Sequence, residues 1–111
     1  MIRIKRAYDD VQDADGYRVL VDRLWPRGLR KEDAHIDLWM KDVAPSTELR
    51  QWFGHDAARW AEFRHRYRDE LAKVDLTPLR EKASTGTLTL VYAAHDVEHN
   101  NAVVLKEALE G

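Results

Sequence analysis

The sequence contains no cysteine, which excludes disulfide bonds, thiolate metal ligands and a thiol nucleophile. No apolar run approaches the roughly 20 residues that cross a bilayer. The basic start of the chain (Arg3, Lys5 and Arg6) is not followed by the apolar core of a signal peptide. We therefore expect a cytoplasmic protein with no membrane partner.

The chain also lacks a strong excess of charge of either sign. Its formal net charge is -2, so binding to nucleic acid would need a local basic patch. Neither a phosphate-binding Gly-x-x-x-x-Gly-Lys loop, nor a Gly-x-Ser-x-Gly elbow, nor a His-Glu-x-x-His motif occurs. The length of 111 residues suits a single domain, residues 1–111, with one modest core.

What the sequence does contain is a strand that runs into an arginine-rich turn. Residues 17–22 are apolar and β-branched, which predicts a buried strand. Pro26 lacks a backbone donor and Gly28 tolerates positive φ, so the chain turns there. Four cations lie in this turn with no acidic residue among them: Arg23, Arg27, Arg30 and Lys31. Such a loop at a strand end is how an α/β protein can build an anion site.

Three other segments predict strands. Residues 2–8 and 36–40 alternate apolar and polar side chains, and residues 87–94 are typical of the central strand of a parallel sheet. The loop 9–16 is too short for a helical crossover, so the first two strands form a hairpin or lie in one sheet without a helix between them. We predict that strands 17–22 and 87–94 are parallel neighbours, because both are apolar on two faces.

Helical patterns fill much of the remaining chain. Ser46 is predicted to cap a helix of about two turns that Gly54 ends. Asp56 is predicted to cap the longest helix, which runs from residue 57 to about 74. The buried stripe of that helix has side chains at spacings of three and four: Trp60, Phe63, Tyr67, Leu71 and Val74.

Two further helices follow, one capped by Thr77 and the C-terminal one capped by Asp96. The predicted fold class is α/β. We expect a small, mostly parallel sheet of about four strands, covered by about four helices, in one domain.

Polar side chains follow the two predicted central strands and form the candidate site. Carboxyl ends of parallel strands meet at one sheet edge, where open α/β sheets bind ligands. We assign a catalytic role to Asp22, as a base or as the group that orients Arg23, and to His99, as general acid or base. The ligand-binding candidates are Arg23, Arg27, Trp25, Glu98 and Asn100.

Each assignment has a structural alternative. Asp22 and Arg23 could form an ion pair that fixes the turn, and Trp25 could be a core residue. Glu98 and His99 could make ordinary contacts in the first turn of a helix. His95 lies four residues before His99, a spacing that metal ligands use on a helix, but it is expected to precede that helix. We predict no metal and no cofactor.

Several segments together resemble a known family. They are RVLVDRLWPRG at 18–28, DLWMKDVAPSTELR at 37–50, WFGH at 52–55 and HN at 99–100. They are similar to the short, YeaO-like branch of the family catalogued as domain of unknown function 488. The resemblance covers nearly the full chain and implies a bacterial-type, cytoplasmic, small α/β domain with no established reaction. Longer relatives carry a cysteine-bearing strand end where this chain has residues 92–100, so the resemblance implies no thiol chemistry here.

Three functions remain open at this point. The first is binding of a small anionic ligand that carries phosphate or carboxylate, with a hydrolase or transferase as the corresponding enzyme class. The second is a nucleic-acid-associated module that uses the basic turn with Arg3, Lys5 and exposed arginines of the long helix. It ranks lower because acidic residues interleave on the long helix and the net charge is negative. The third is a non-catalytic interaction domain.

Overall fold

A four-stranded sheet, in which every pairing is parallel, organises the computed structural model of residues 1–111. Its strands are β1 (Ile2–Arg6), β2 (Tyr17–Leu20), β3 (Leu38–Trp39) and β4 (Leu88–Tyr92), in the order β1-β4-β2-β3. Together with the helices they form a small α/β domain, which confirms the predicted fold class.

The predicted pairing of the two most apolar strands is confirmed. β2 and β4 are parallel neighbours, with Tyr17 opposite Leu88 and Leu20 opposite Val91. β1 pairs with the other edge of β4, so the first two strands lie in one sheet and form no hairpin. The loop of residues 7–16 returns the chain without a helix. Ten extended residues reach roughly 33 Å, about twice the length of a five-residue strand.

The five α-helices are α1 (Lys31–Ala34), α2 (Thr47–Phe53), α3 (Trp60–Leu71), α4 (Thr77–Thr85) and α5 (Asn101–Glu110). The four-residue α1 is the helix that the pattern did not predict. Short 3₁₀ turns occur at residues 13–15, 41–43 and 57–59. No helix has the length and apolarity that crossing a membrane requires.

The predicted caps are present at the start of α2 and of the 3₁₀ turn that leads into the long helix. The Ser46 hydroxyl accepts a hydrogen bond from the Leu49 backbone N–H at 3.1 Å, and Gly54 adopts the left-handed conformation that ends α2. Asp56 accepts from the Ala58 N–H at 3.0 Å and caps the 3₁₀ turn that leads into α3. α3 itself ends at Leu71, three residues before the predicted end.

Two predicted caps are wrong. Thr77 is the first residue of α4 rather than its cap, and the Asp75 carboxylate accepts the Thr77 N–H at 3.0 Å. α5 is capped by Asn100, whose side-chain oxygen accepts from the Val103 N–H at 3.2 Å. Asp96 lies too far before the first helical turn to reach its free N–H groups, and it instead shapes the preceding loop.

Helices α2 to α5 cover one face of the sheet, and the loops together with α1 cover the other. The larger core lies between one sheet face and the helices, and it includes the α3 stripe residues Phe63, Tyr67 and Leu71, while Trp60 is partly exposed. On the other face a smaller core of Ala7, Leu20 and Val91 packs under the arginine-rich turn.

A buried ionic cluster lies on that second face. The Asp15 carboxylate is inaccessible to solvent and accepts hydrogen bonds from Arg18 at 2.7 Å and Lys5 at 3.1 Å. The Asp15 carbonyl accepts from the Thr89 hydroxyl at 2.6 Å. The loop 7–16 is thereby attached to β1, β2 and β4, which leaves the carboxyl edge of the sheet uncovered.

Candidate functional site

A cleft of about 520 Å³ opens at the carboxyl ends of β2 and β4. Its lining comes from the loop after β1, the turn after β2, α2 and the segments on either side of it, α3, and the loop between β4 and α5 with the first residue of α5. The residues are Tyr8, Asp22, Arg23, Leu24, Trp25, Pro26, Arg27, Ala44, Pro45, Arg50, Phe53, His55, Phe63, Ala93, Ala94, His95, Asp96, His99, Asn100 and Asn101. The cleft lies where parallel α/β sheets bind ligands.

The structure brings six of the predicted site residues to this cleft: Asp22, Arg23, Trp25, Arg27, His99 and Asn100. Glu98 is exposed and lies outside the lining. Its only role in the hydrogen bonds of the loop is to donate its backbone N–H to Asp96 at 2.9 Å. The functional roles of the six residues stay predictions, and their surroundings decide which roles each can fill.

Asp22 ties the two central strands to the last helix. One carboxylate oxygen accepts from the Ala93 N–H at 2.9 Å, and the other accepts from the Asn101 side chain at 3.1 Å. Burial raises the pKa of Asp22 above its ordinary value, although these two hydrogen bonds oppose the shift. Asp22 makes no ion pair with Arg23, so neither the structural pair nor the orientation of Arg23 by Asp22 is present.

The arginines of the cleft have unoccupied donors. Arg23 Nε donates to the Pro45 carbonyl at 3.3 Å, which leaves its terminal nitrogens without a protein acceptor. Arg27 contributes its backbone carbonyl to a 2.8 Å hydrogen bond from the Tyr8 hydroxyl, while its guanidinium contacts no acceptor. Arg50, which no sequence pattern indicated as a site residue, is also exposed and unpaired on the α2 side. Each guanidinium can therefore donate to a ligand.

Trp25 is both a lining residue and a packing residue. Its indole N–H donates to the Leu29 carbonyl at 2.6 Å, which closes the turn. Its ring meets Trp39 edge-on at 5.5 Å, on the side of the smaller core. The ligand-binding and core alternatives for Trp25 are therefore compatible, because different parts of one indole serve them.

His99 is held by an acid and an aromatic ring. Its Nδ1 lies 2.8 Å from Asp96, and its ring stands edge-on to Trp60 at 5.2 Å. The backbone N–H of Glu98, and then the His99 ring, lower the pKa of Asp96. When Nδ1 carries the proton that Asp96 accepts, Nε2 is free to contact a ligand.

Asn100 has little capacity left for a ligand. Its amide nitrogen donates to the Asp96 carbonyl at 2.9 Å, and its oxygen caps α5.

The two histidines of the loop do not share a metal site, since His95 Nδ1 lies 3.4 Å from Arg6 while His99 faces Asp96. No group of three or more His, Asp or Glu side chains is arranged to hold a metal ion.

His55 is a second lining residue that no sequence pattern indicated. It follows Gly54 with φ 58°, a conformation that few non-glycine residues adopt, and its ring lies 6.3 Å from that of Phe53. His55 lies between the end of α2 and the 3₁₀ turn that leads into α3. Its position at the cleft depends on how α2 packs against α3, which no local pattern encodes.

Comparison with known proteins adds the family. A family model described as the inactive DUF488-N3 subclade matches residues 1–111. The chain belongs to this family. It is 44% identical over 111 residues to the uncharacterized protein Rv3073c of Mycobacterium tuberculosis, an alignment that covers 99% of this chain and 94% of the relative.

A second relative is the uncharacterized protein YeaO of Escherichia coli, 44% identical over 110 residues, with 97% of this chain and 96% of YeaO covered. No solved structure matches the chain. The resemblance to the YeaO-like branch of this family is therefore confirmed, and the relatives' names assign no reaction.

Proposed function

We propose that this protein binds a small anionic ligand, carrying phosphate or carboxylate, in the cleft at the carboxyl edge of its sheet. The observation that carries the proposal is the set of guanidinium donors without protein acceptors, from Arg23, Arg27 and Arg50, around one concave site. Phosphate and carboxylate groups accept paired N–H donors of this kind. His99 Nε2 would add one more contact.

The same cleft favours binding over catalysis. Its lining includes no serine, threonine, cysteine or lysine, the side chains that most often serve as nucleophiles. Both oxygens of Asp22 already accept hydrogen bonds that join structural elements. The family description as an inactive subclade agrees with a ligand-binding role. The hydrolase and transferase alternatives therefore rank below simple binding.

Two of the basic residues that the nucleic-acid hypothesis uses are engaged in contacts within the protein. Arg3 donates to the Ala14 carbonyl at 3.2 Å, and Lys5 is paired with buried Asp15 at 3.1 Å. These cations serve the fold on the loop-covered face rather than forming a free patch beside the cleft. We therefore rank a nucleic-acid partner below the small anion.

The test is a thermal-shift titration with inorganic phosphate, sulfate and small carboxylates, against chloride at matched ionic strength. Binding to the folded state raises apparent stability by mass action, by about 1.4 kcal/mol at ten times the dissociation constant, which corresponds to a few degrees. Arg27→Ala should abolish this rise. It should itself change stability by less than about 0.5 kcal/mol, because the side chain is exposed and unpaired.

Arg30→Ala is the matched control, since Arg30 lies in the same turn, is exposed and is not part of the cleft lining. It should leave the anion-induced rise unchanged. No rise for the wild-type protein with any anion would refute the proposed function. Unfolding of Arg27→Ala in buffer alone would instead show that Arg27 is a structural residue of the turn.

A further inference from the structure

The cleft is larger and more apolar than an inorganic anion requires. Its volume of about 520 Å³ falls within the range of roughly 300–1,000 Å³ found for pockets that enclose small organic molecules. Most of the surface that its walls expose is apolar. Bare phosphate or sulfate would contact the arginines and leave the apolar walls facing water.

The aromatic wall is fixed in place. Phe53 and Phe63 stack at 4.3 Å with an interplanar angle of 24°, and they are 5% and 2% exposed. The Trp60 ring packs against Phe53 at 6.0 Å and Phe63 at 5.7 Å, and the His99 ring lies edge-on to it. A wall that is already packed loses little side-chain freedom when a ligand binds to it.

The rim of the cleft carries an apolar side chain that the core does not use. Leu24 is 60% exposed, yet it lines the cleft between Arg23 and Trp25. An exposed leucine alone is ordinary. Beside an apolar wall and unpaired guanidinium groups, it is placed to cover the apolar part of a ligand whose anionic group the arginines hold.

We propose that the ligand is an amphipathic anion: a small molecule in which one phosphate or carboxylate is attached to an apolar, preferably aromatic, body. This inference rests on the proposed function and makes it more specific. Arg27 and Arg23 bind the anionic group, and the body lies against the aromatic wall and Leu24. Burial of the apolar body makes the amphipathic ligand bind more tightly than the anion alone.

The experiment compares inorganic phosphate, phenyl phosphate, 1-naphthyl phosphate and uncharged 1-naphthol by isothermal titration calorimetry. 1-Naphthyl phosphate should bind at least about tenfold more tightly than inorganic phosphate, and phenyl phosphate should fall between them. Arg27→Ala should weaken binding of all three phosphates. Leu24→Asn should weaken naphthyl phosphate several-fold and leave inorganic phosphate unchanged, because Leu24 contacts only the body.

Val11→Asn is the control, since Val11 is 38% exposed and is not part of the cleft lining. It should alter neither affinity. Inorganic phosphate that binds as tightly as naphthyl phosphate would overturn this inference and leave the proposed function standing. Failure of all three phosphates together with the carboxylates of the thermal-shift titration, or equal binding of naphthol and naphthyl phosphate, would overturn both.

A tripeptide that contains phosphotyrosine separates a free ligand from the same chemical group on a peptide. Weaker binding than phenyl phosphate supports the free small molecule, and clearly tighter binding overturns that part of the inference.

Discussion

Replacing Asp15 with alanine should lower the free energy of unfolding by about 3–5 kcal/mol, the usual cost of removing one partner from a buried ion pair. Asp15 is inaccessible to solvent and its carboxylate accepts from Arg18, Lys5 and the Gln12 N–H. These bonds attach the returning loop to β1 and β2. Without them, the only helix-free crossover of the sheet loses its buried anchor.

The size of the expected loss in stability depends on the two cations, Arg18 and Lys5, that remain after the Asp15 carboxylate is removed. Arg18 is 3% exposed and would keep its bonds to the Ala34 and His35 carbonyls at 3.0 and 3.2 Å. Its charge would nevertheless be buried without a counter-ion, which is the costly part. Lys5 is 13% exposed in its side chain and can turn toward water. The expected loss is therefore nearer the lower end of the range.

The assay is urea unfolding followed by far-ultraviolet circular dichroism. Asp13→Ala is the control, because Asp13 lies in the same loop, is exposed and makes no side-chain hydrogen bond. It should cost less than about 0.5 kcal/mol. A loss for Asp15→Ala below about 1 kcal/mol, or no greater than that of the control, would refute the reasoning that the cluster anchors the loop.

The pH dependence of the same variant is an independent check. Burial alone would raise the pKa of Asp15, but hydrogen bonds from the Gln12 N–H and Lys5 outweigh it and lower the pKa below 3.8. The stability that Asp15 contributes is therefore complete above its unfolded pKa and is lost as the pH falls through the lower folded value. The difference between wild type and Asp15→Ala should shrink on acidification.

Three further predictions concern the core, the candidate site and a cap. Phe63→Ala should cost roughly 3–5 kcal/mol in urea unfolding, since the ring is 2% exposed, and a loss below about 1 kcal/mol would contradict its core role. The raised pKa of Asp22 means that its protonated form favours folding. The stability of wild type relative to Asp22→Asn should therefore be greatest below pH 3.8 and decline as the pH rises through the folded pKa, and a rising difference would contradict this. Ser46→Ala should cost at least about 1 kcal/mol, because the hydroxyl accepts the Leu49 N–H and also donates to the Glu70 carboxylate at 2.7 Å, and no loss would contradict it.

The position of a strand in the sheet could be predicted from the sequence where the strand's own residues indicate it. β2 and β4 are apolar on both faces, which identifies neighbours at the centre of a parallel sheet. The place of β1 could not be predicted, because an alternating strand fits either a hairpin or a sheet edge. The deciding contact is the buried cluster of Asp15, and a single aspartate in a polar loop gives no local sign of burial.

Some residues of the candidate site could likewise be predicted from the sequence, and others could not. Asp22, Arg23 and Arg27 lie in the segment that leaves the carboxyl end of β2, so their position at the sheet edge follows from topology. Arg50 and His55 reach the cleft because Phe53 stacks on Phe63, a contact between helices that no periodicity specifies. Within the loop after β4, neighbouring residues point in different directions, and spacing alone could not separate Glu98 from His99 or Asp96 from the true cap, Asn100.

Asp22 shows why tests of function should begin at the rim of the cleft rather than at its most buried acid. Its carboxylate joins β4 to the first residue of α5, so substitution there alters the sheet edge together with any ligand contact. A loss of binding in Asp22→Asn would follow equally from a changed fold. The side chains of Arg27 and Leu24 are free of such bonds. In the proposed complex the first contacts the anionic group and the second contacts the apolar body. Their variants should therefore separate charge recognition from apolar recognition without disturbing the strands that build the cleft.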